Sequence, residues 1–181
     1  MKPVLLLSAL LILTSCTPKA AVPGVAETRF DDRHMRNVTQ LTFDGDNGEA
    51  YFSFDGKKLV FQSSRGGYAC DKIWTMNIDG SDKRMVSPAR GANTCSFFLP
   101  DGRIVYSSTS HLPGDCPPRP QAPPGVRYVW PLYPYDIFAA DADGSNARRL
   151  TDNPKYDAEP VVSPDGKRIV FGSQREGDFD I

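Results

Sequence analysis

The chain has 181 residues, 40% of them apolar and 24% charged, which is enough for one ordinary packed domain and unlike a disordered segment. Its formal charge of -1 excludes both the broad basic face that nucleic acid requires and a polybasic run for an anionic membrane surface. Any binding must therefore rest on local geometry.

Residues 1–15 read as an export signal: Lys2 gives a positive start, VLLLSALLIL is an apolar run too short for a stable bilayer span, and small polar residues follow. The sequence Leu13-Thr14-Ser15-Cys16 resembles the bacterial lipobox. That resemblance implies acylation of Cys16, and Thr17 after it implies sorting to the outer membrane. More than one acyl chain, at about 0.8 kcal/mol per buried methylene, makes such an anchor stable. Residues 16–37, with TPKAAVPGVAE, are mixed in polarity and without periodicity, as expected of a tether.

The rest, residues 38–181, is repetitive, and the repeat specifies the fold. FSFDGKKLVFQSS, FFLPDGRIVYSS and VVSPDGKRIVFGS align on Asp55, Asp101 and Asp165. A second turn, NIDGSDKRMV or DADGSNARRL, follows in two copies, with Asp79 and Asp143 matching. Gly after Asp supplies the positive φ of a tight hairpin, and KLVF, RIVY and RIVF are β-branched and aromatic runs. Three apolar residues in succession, without alternation, predict strands covered on both faces, as when small sheets stack.

Each unit of about 45 residues thus reads as four short strands, the period of a propeller blade. YDAEPVVSPDGKRIVFGSQREGDFDI and YDIFAADADGSNARRLT resemble the WD40-like repeats of TolB-type propellers. The fold class expected is all-β, a propeller of four-stranded antiparallel blades. Blade 1 is expected at about 43–87, blade 2 at about 88–151 with an insert at 109–134, and an incomplete blade 3 at about 152–181. Val38 to Thr42, VTQLT, match ARRLT and predict a lone outer strand that would complete a final blade. The third copy stops inside its repeat at Ile181, so the sequence is expected to be a C-terminally truncated piece of a longer protein.

The insert holds half of the 16 prolines, in HLPGDCPPRPQAPPGVRYVWPLYP, and so predicts a stiffened loop on the face opposite the Asp-Gly turns. Tyr128, Trp130, Tyr133 and Tyr135 follow. Two readings stand: an aromatic platform for a peptide, glycan or envelope protein, or a rigid lid whose rings fold back on the blades. Cys70, Cys95 and Cys116 fall on the same loop face, so any of three disulfides can form, with one Cys left over. A zinc site of His111, Asp115 and Cys116 is the sharper alternative, although two His and no CxxC speak for no metal. Asp44, Asp46 and Glu49 in FDGDNGEA have spacings a calcium ion can use, without the EF-hand pattern. Glu49 and Glu159 are equivalent, with Cys95 between them in blade order, which suggests a carboxylate-lined channel.

Hydrolase elbows, zincin motifs and phosphate loops are absent, so no catalytic residues and no cofactor are assigned. The expected function is a non-catalytic lipoprotein scaffold at the periplasmic side of the outer membrane, with no nucleic-acid partner. The alternative is the propeller portion of an exported prolyl-oligopeptidase-like hydrolase whose catalytic domain lies beyond Ile181.

Overall fold

The computed structural model describes His34, Met35 and residues 37–181, and the chain divides into two units, Met1–Gln40 and Leu41–Ile181. The signal and lipobox readings at residues 1–16 lie outside the described residues. In the first unit, residues 37–40 are irregular. Every regular element of the second unit is a strand.

Among the described residues, ten strands form three antiparallel sheets. The first contains β1 (Asn47–Phe52), β2 (Lys58–Ser63), β3 (Lys72–Asn77) and β4 (Arg84–Met85), in that spatial order. The second contains β5 (Asn93–Phe98), β6 (Ile104–Ser108), β7 (Asp136–Ala140) and β8 (Arg148–Arg149), again in order. The third pairs β9 (Asp157–Val162) with β10 (Ile169–Ser173) and adds a single bridge from Ser173 to Asp180. Two four-stranded blades and part of a third are therefore present.

The turns are built as their residues dictate. In the β1–β2 turn, Ser53 Oγ and the Lys57 N–H both donate to Asp55 Oδ1 (2.6 and 3.1 Å). Ser163, Lys167 and Asp165 repeat the arrangement between β9 and β10 at the same two distances. Gly144, in the second turn of blade 2, has φ 87°, and a Cβ there would lie 2.4 Å from the Val86 carbonyl oxygen, so only glycine fits. Leu41 crosses Gly80 in blade 1 as Val86 crosses Gly144, which is the spatial counterpart of the VTQLT match. The expected strand at Val38–Thr42 does not form, because a strand exists only through a ladder and none of the ladders includes this segment.

Burial follows the stacking of sheets. Val60, Ile73 and Val86 of blade 1 meet Phe98, Ile104, Tyr106, Phe138 and Ala140 of blade 2. Val105 and Ile137, on the other face of blade 2, meet Val162, Ile169 and Phe171 of the third sheet. Both faces of β6 are thus covered, and its five residues are all buried. In β10 the middle residue of the same apolar triplet, Val170, faces away from blade 2 and is 49% exposed.

Register also distinguishes the two complete blades. Asp136 pairs across from Ser108, and the residue across from the equivalent Ser63 is Lys72 and not Asp71. Blade 1 thus places a buried cation where blade 2 places a buried carboxylate.

Candidate binding site

Two groups of residues on the loop face hold chemistry that folding alone does not demand. The first lies along the innermost strands. Each of β1, β5 and β9 breaks register once, and at each break a non-glycine residue takes a left-handed conformation: Glu49 (φ 49°), Cys95 (φ 51°) and Glu159 (φ 60°). Such bulges turn one side chain out of the pleat. Neighbouring blades secure them. The Cys95 N–H donates to Gln62 Oε1 of blade 1 (2.9 Å), and the Glu159 N–H donates to Ser107 Oγ of blade 2 (3.1 Å).

The result is a buried thiol flanked by two exposed carboxylates. Burial first, then the charges of Glu49 and Glu159, push the Cys95 thiol up to about 12. At neutral pH it is therefore protonated and a poor nucleophile. Glu49 and Glu159 are both exposed at their bulges, on either side of Cys95 in blade order. Of the acidic residues in the FDGDNGEA stretch, Asp44 is engaged by an ion pair, its Oδ1 lying 3.0 Å from the Arg65 guanidinium.

The second group is the insert. Cys70, before β3, is bonded to Cys116 in the insert, with Cα atoms 5.9 Å apart, and Cys95 is left free. Beside the bond sits Lys72, fully buried, whose ammonium donates to the Gly91 carbonyl (2.6 Å) and lies 3.1 Å from Cys70 Sγ. Burial holds its pKa below that of an ordinary lysine, against the pull of Asp71 and Asp115. The zinc alternative fails on two counts: Cys116 has no thiolate to offer, and His111 Nε2 points at Asp136 Oδ2, 3.2 Å away.

That histidine belongs to a node which spacing did not reveal. Asp136, fully buried, accepts hydrogen bonds from Arg149 and from Thr151 Oγ1 (2.9 Å) and the Asn153 N–H (3.1 Å), so the start of the insert is tied to the last strand of its own blade. Asp157 plays a like role in the third sheet with Ser173 Oγ (2.6 Å) and Arg175 (2.8 Å). These carboxylates are structural; each is satisfied by donors that the folded chain brings to it from 13 or more residues away.

The four aromatics divide between the two readings. Tyr135 is buried at 6% exposure and packs with Ala92, Tyr156 and Ala158, with half-buried Tyr133 against the same cluster. Tyr128 and Trp130 are 66% and 56% exposed and meet edge to face, with ring centroids 6.0 Å apart. The first pair is a foot that fixes the loop, and the second is the part presented to solvent.

Comparison with known proteins places this arrangement. No known family description matches the sequence. An uncharacterized protein of Agrobacterium fabrum is 27% identical over 129 residues, 71% of this chain and 36% of that protein. The Tol-Pal system protein TolB of Bordetella pertussis is 53% identical over 34 residues, 19% of this chain and 8% of that protein. Among solved structures, TolB from Acinetobacter baumannii superposes with a TM-score of 0.55 at 23% identity, covering 76% of this chain and 29% of that one. A TolB-type protein of Agrobacterium tumefaciens gives 0.51 at 22%, covering 74% and 46%. The chain spans about a third of the length of the Agrobacterium fabrum relative and less than half of either solved structure. With its four-stranded sheets in sequential order and these likenesses, the chain has the fold of a TolB-like β-propeller.

Proposed function

We propose that this chain is part of an exported, non-catalytic binding scaffold, held at the periplasmic side of the outer membrane through an acylated Cys16, and that its insert recognises an envelope protein. The observation that carries the reading is the Tyr128–Trp130 pair, left exposed on a proline-rich loop that a disulfide and two folded-back tyrosines hold against the blades. Rigid aromatic surface gives contact area at low entropic cost. The reactive groups nearby support the non-catalytic part, since the Cys95 thiol stays protonated and His111 is directed at a carboxylate that other groups already hold. The short stretch shared with a Tol-Pal system protein adds an assembly context.

A photo-crosslinking amino acid at position 130 in cells should trap one discrete envelope protein, and the same group at Lys57, on the opposite turn face, should not. Trp130→Ala should then weaken that complex by about 2 kcal/mol, as expected of a central aromatic anchor. Equal crosslinking from both positions, or none from position 130, removes the insert as the recognition surface.

A further inference from the structure

Beneath the insert lies a cavity of about 420 Å³, within the range of roughly 300 to 1,000 Å³ in which small ligands bind. Its floor comes from the blades and carries Asp46 and Asp71; its roof comes from the insert and carries Arg119 and Arg127; Tyr133 and Tyr135 form the wall between. Asp71 accepts a hydrogen bond from Gln62 Nε2 at 3.3 Å, yet among the described residues none of the four charged groups has a partner of opposite sign within 4.0 Å. Their fields nevertheless overlap. Burial raises the Asp71 pKa first and the charge of Asp46 raises it further, while the ammonium of Lys72 and then Arg119 oppose the rise; burial likewise raises Tyr133 against the pull of Arg119. Two carboxylates that repel each other thus line one cavity together with two exposed guanidinium groups, and neither sign is bound in an ion pair there.

We infer that this cavity binds a small zwitterion, a short peptide with both termini free, its ammonium between Asp46 and Asp71 and its carboxylate at Arg119 and Arg127. Guanidinium groups suit a carboxylate because their paired donors match its two oxygens. A carboxylate pair suits an ammonium because the bound cation relieves their mutual repulsion. The tyrosine wall supplies flat apolar surface for the chain between the termini. The disulfide at Cys70, which also lines the cavity, holds roof to floor at a fixed spacing and so sets the length accepted. Tyr128 borders both this cavity and the exposed pair with Trp130, so the two sites adjoin, and the test of this one uses a different ligand.

The experiment is calorimetric titration of the full chain with trialanine, N-acetyl-trialanine and trialanine amide. Trialanine should bind, and blocking either terminus should weaken it at least tenfold. Arg119→Gln should erase the preference for the free carboxylate while keeping that for the free ammonium. Asp71→Asn, which retains an acceptor for Gln62, should do the reverse. No heat of binding with trialanine, equal affinity for the three peptides, or variants that keep both preferences would overturn the assignment.

Discussion

At the scale of single residues, the loop face is governed by groups whose ionisation is shifted by burial. Cys95 is the clearest, since a thiol held at about 12 exposes almost no thiolate at pH 8. In the oxidised native protein iodoacetamide at pH 8 should leave Cys95 unlabelled, and labelling should appear only when denaturant opens the blades; mass spectrometry of the digested protein reads the outcome. Prompt alkylation of the native chain would contradict the buried position between Glu49 and Glu159. His111 is shifted the other way for a base. Burial, then Arg149, lower its pKa below 6.5, and Asp136 only partly opposes them. A base with a depressed folded value binds fewer protons when folded than when unfolded. Its stabilising contribution is therefore complete above pH 6.5 and lost as the pH falls below it. The melting temperature should drop between pH 7.5 and 5.5, and His111→Gln should reduce that drop. An unchanged slope in the variant would show that another group carries it.

At the scale of elements, the insert is held by three devices of different kinds: a covalent bond at Cys116, the Asp136 node at its start, and packed tyrosines at its end. The bond spans 46 residues of chain. In the loop-entropy account, closing a loop of that size stabilises the folded state by about 4 kcal/mol. Reduction, or Cys116→Ser, should lower the denaturant midpoint accordingly. It should also speed tryptic cleavage after Arg127, because the roof is then tied down only at its two ends. If cleavage is unchanged on reduction, packing alone holds the loop. The same devices bear on replacing the whole insert with a short turn: such a change would leave Cys70 unpaired and strip one partner from Asp136, so milder substitutions at the exposed rings are the sounder probe of recognition.

At the scale of the whole molecule, the stacked sheets leave apolar surface at both ends of the array. Phe52 and Phe54 at one end are 67% and 57% exposed, and Val161, Val170 and Ile181 line an open hollow at the other. Contiguous apolar faces of this kind usually mark contacts with other surfaces. Residues 37–181 expressed alone should self-associate, with sedimentation velocity showing mass that rises with concentration. A single monomeric boundary across the micromolar range would show that these faces are tolerated in water. Mixed charged substitutions at Val161 and Val170 should suppress association without lowering the melting temperature, since neither side chain is part of a buried cluster.

What the sequence determined by itself is everything carried by short-range chemistry. Asp-Gly pairs at a constant spacing require hairpins, Leu59-Val60-Phe61 and Ile104-Val105-Tyr106 require sheets covered on both faces, and the repeat of both requires blades; each signal is complete within a dozen residues, and all are present in the fold. The equivalence of Glu49, Cys95 and Glu159 was legible for the same reason, although their left-handed bulges were not, because a bulge is a relation between two paired strands. The tertiary structure alone decided which sulfurs meet, which of four aromatics turn inward, and that His111 faces Asp136 instead of a metal. It also decided that Lys72 stands where the next blade has Asp136, a register set by cross-strand hydrogen bonds. These are contacts between segments that sequence spacing leaves free to approach in several ways, and only the packing of one blade against the next selects among them.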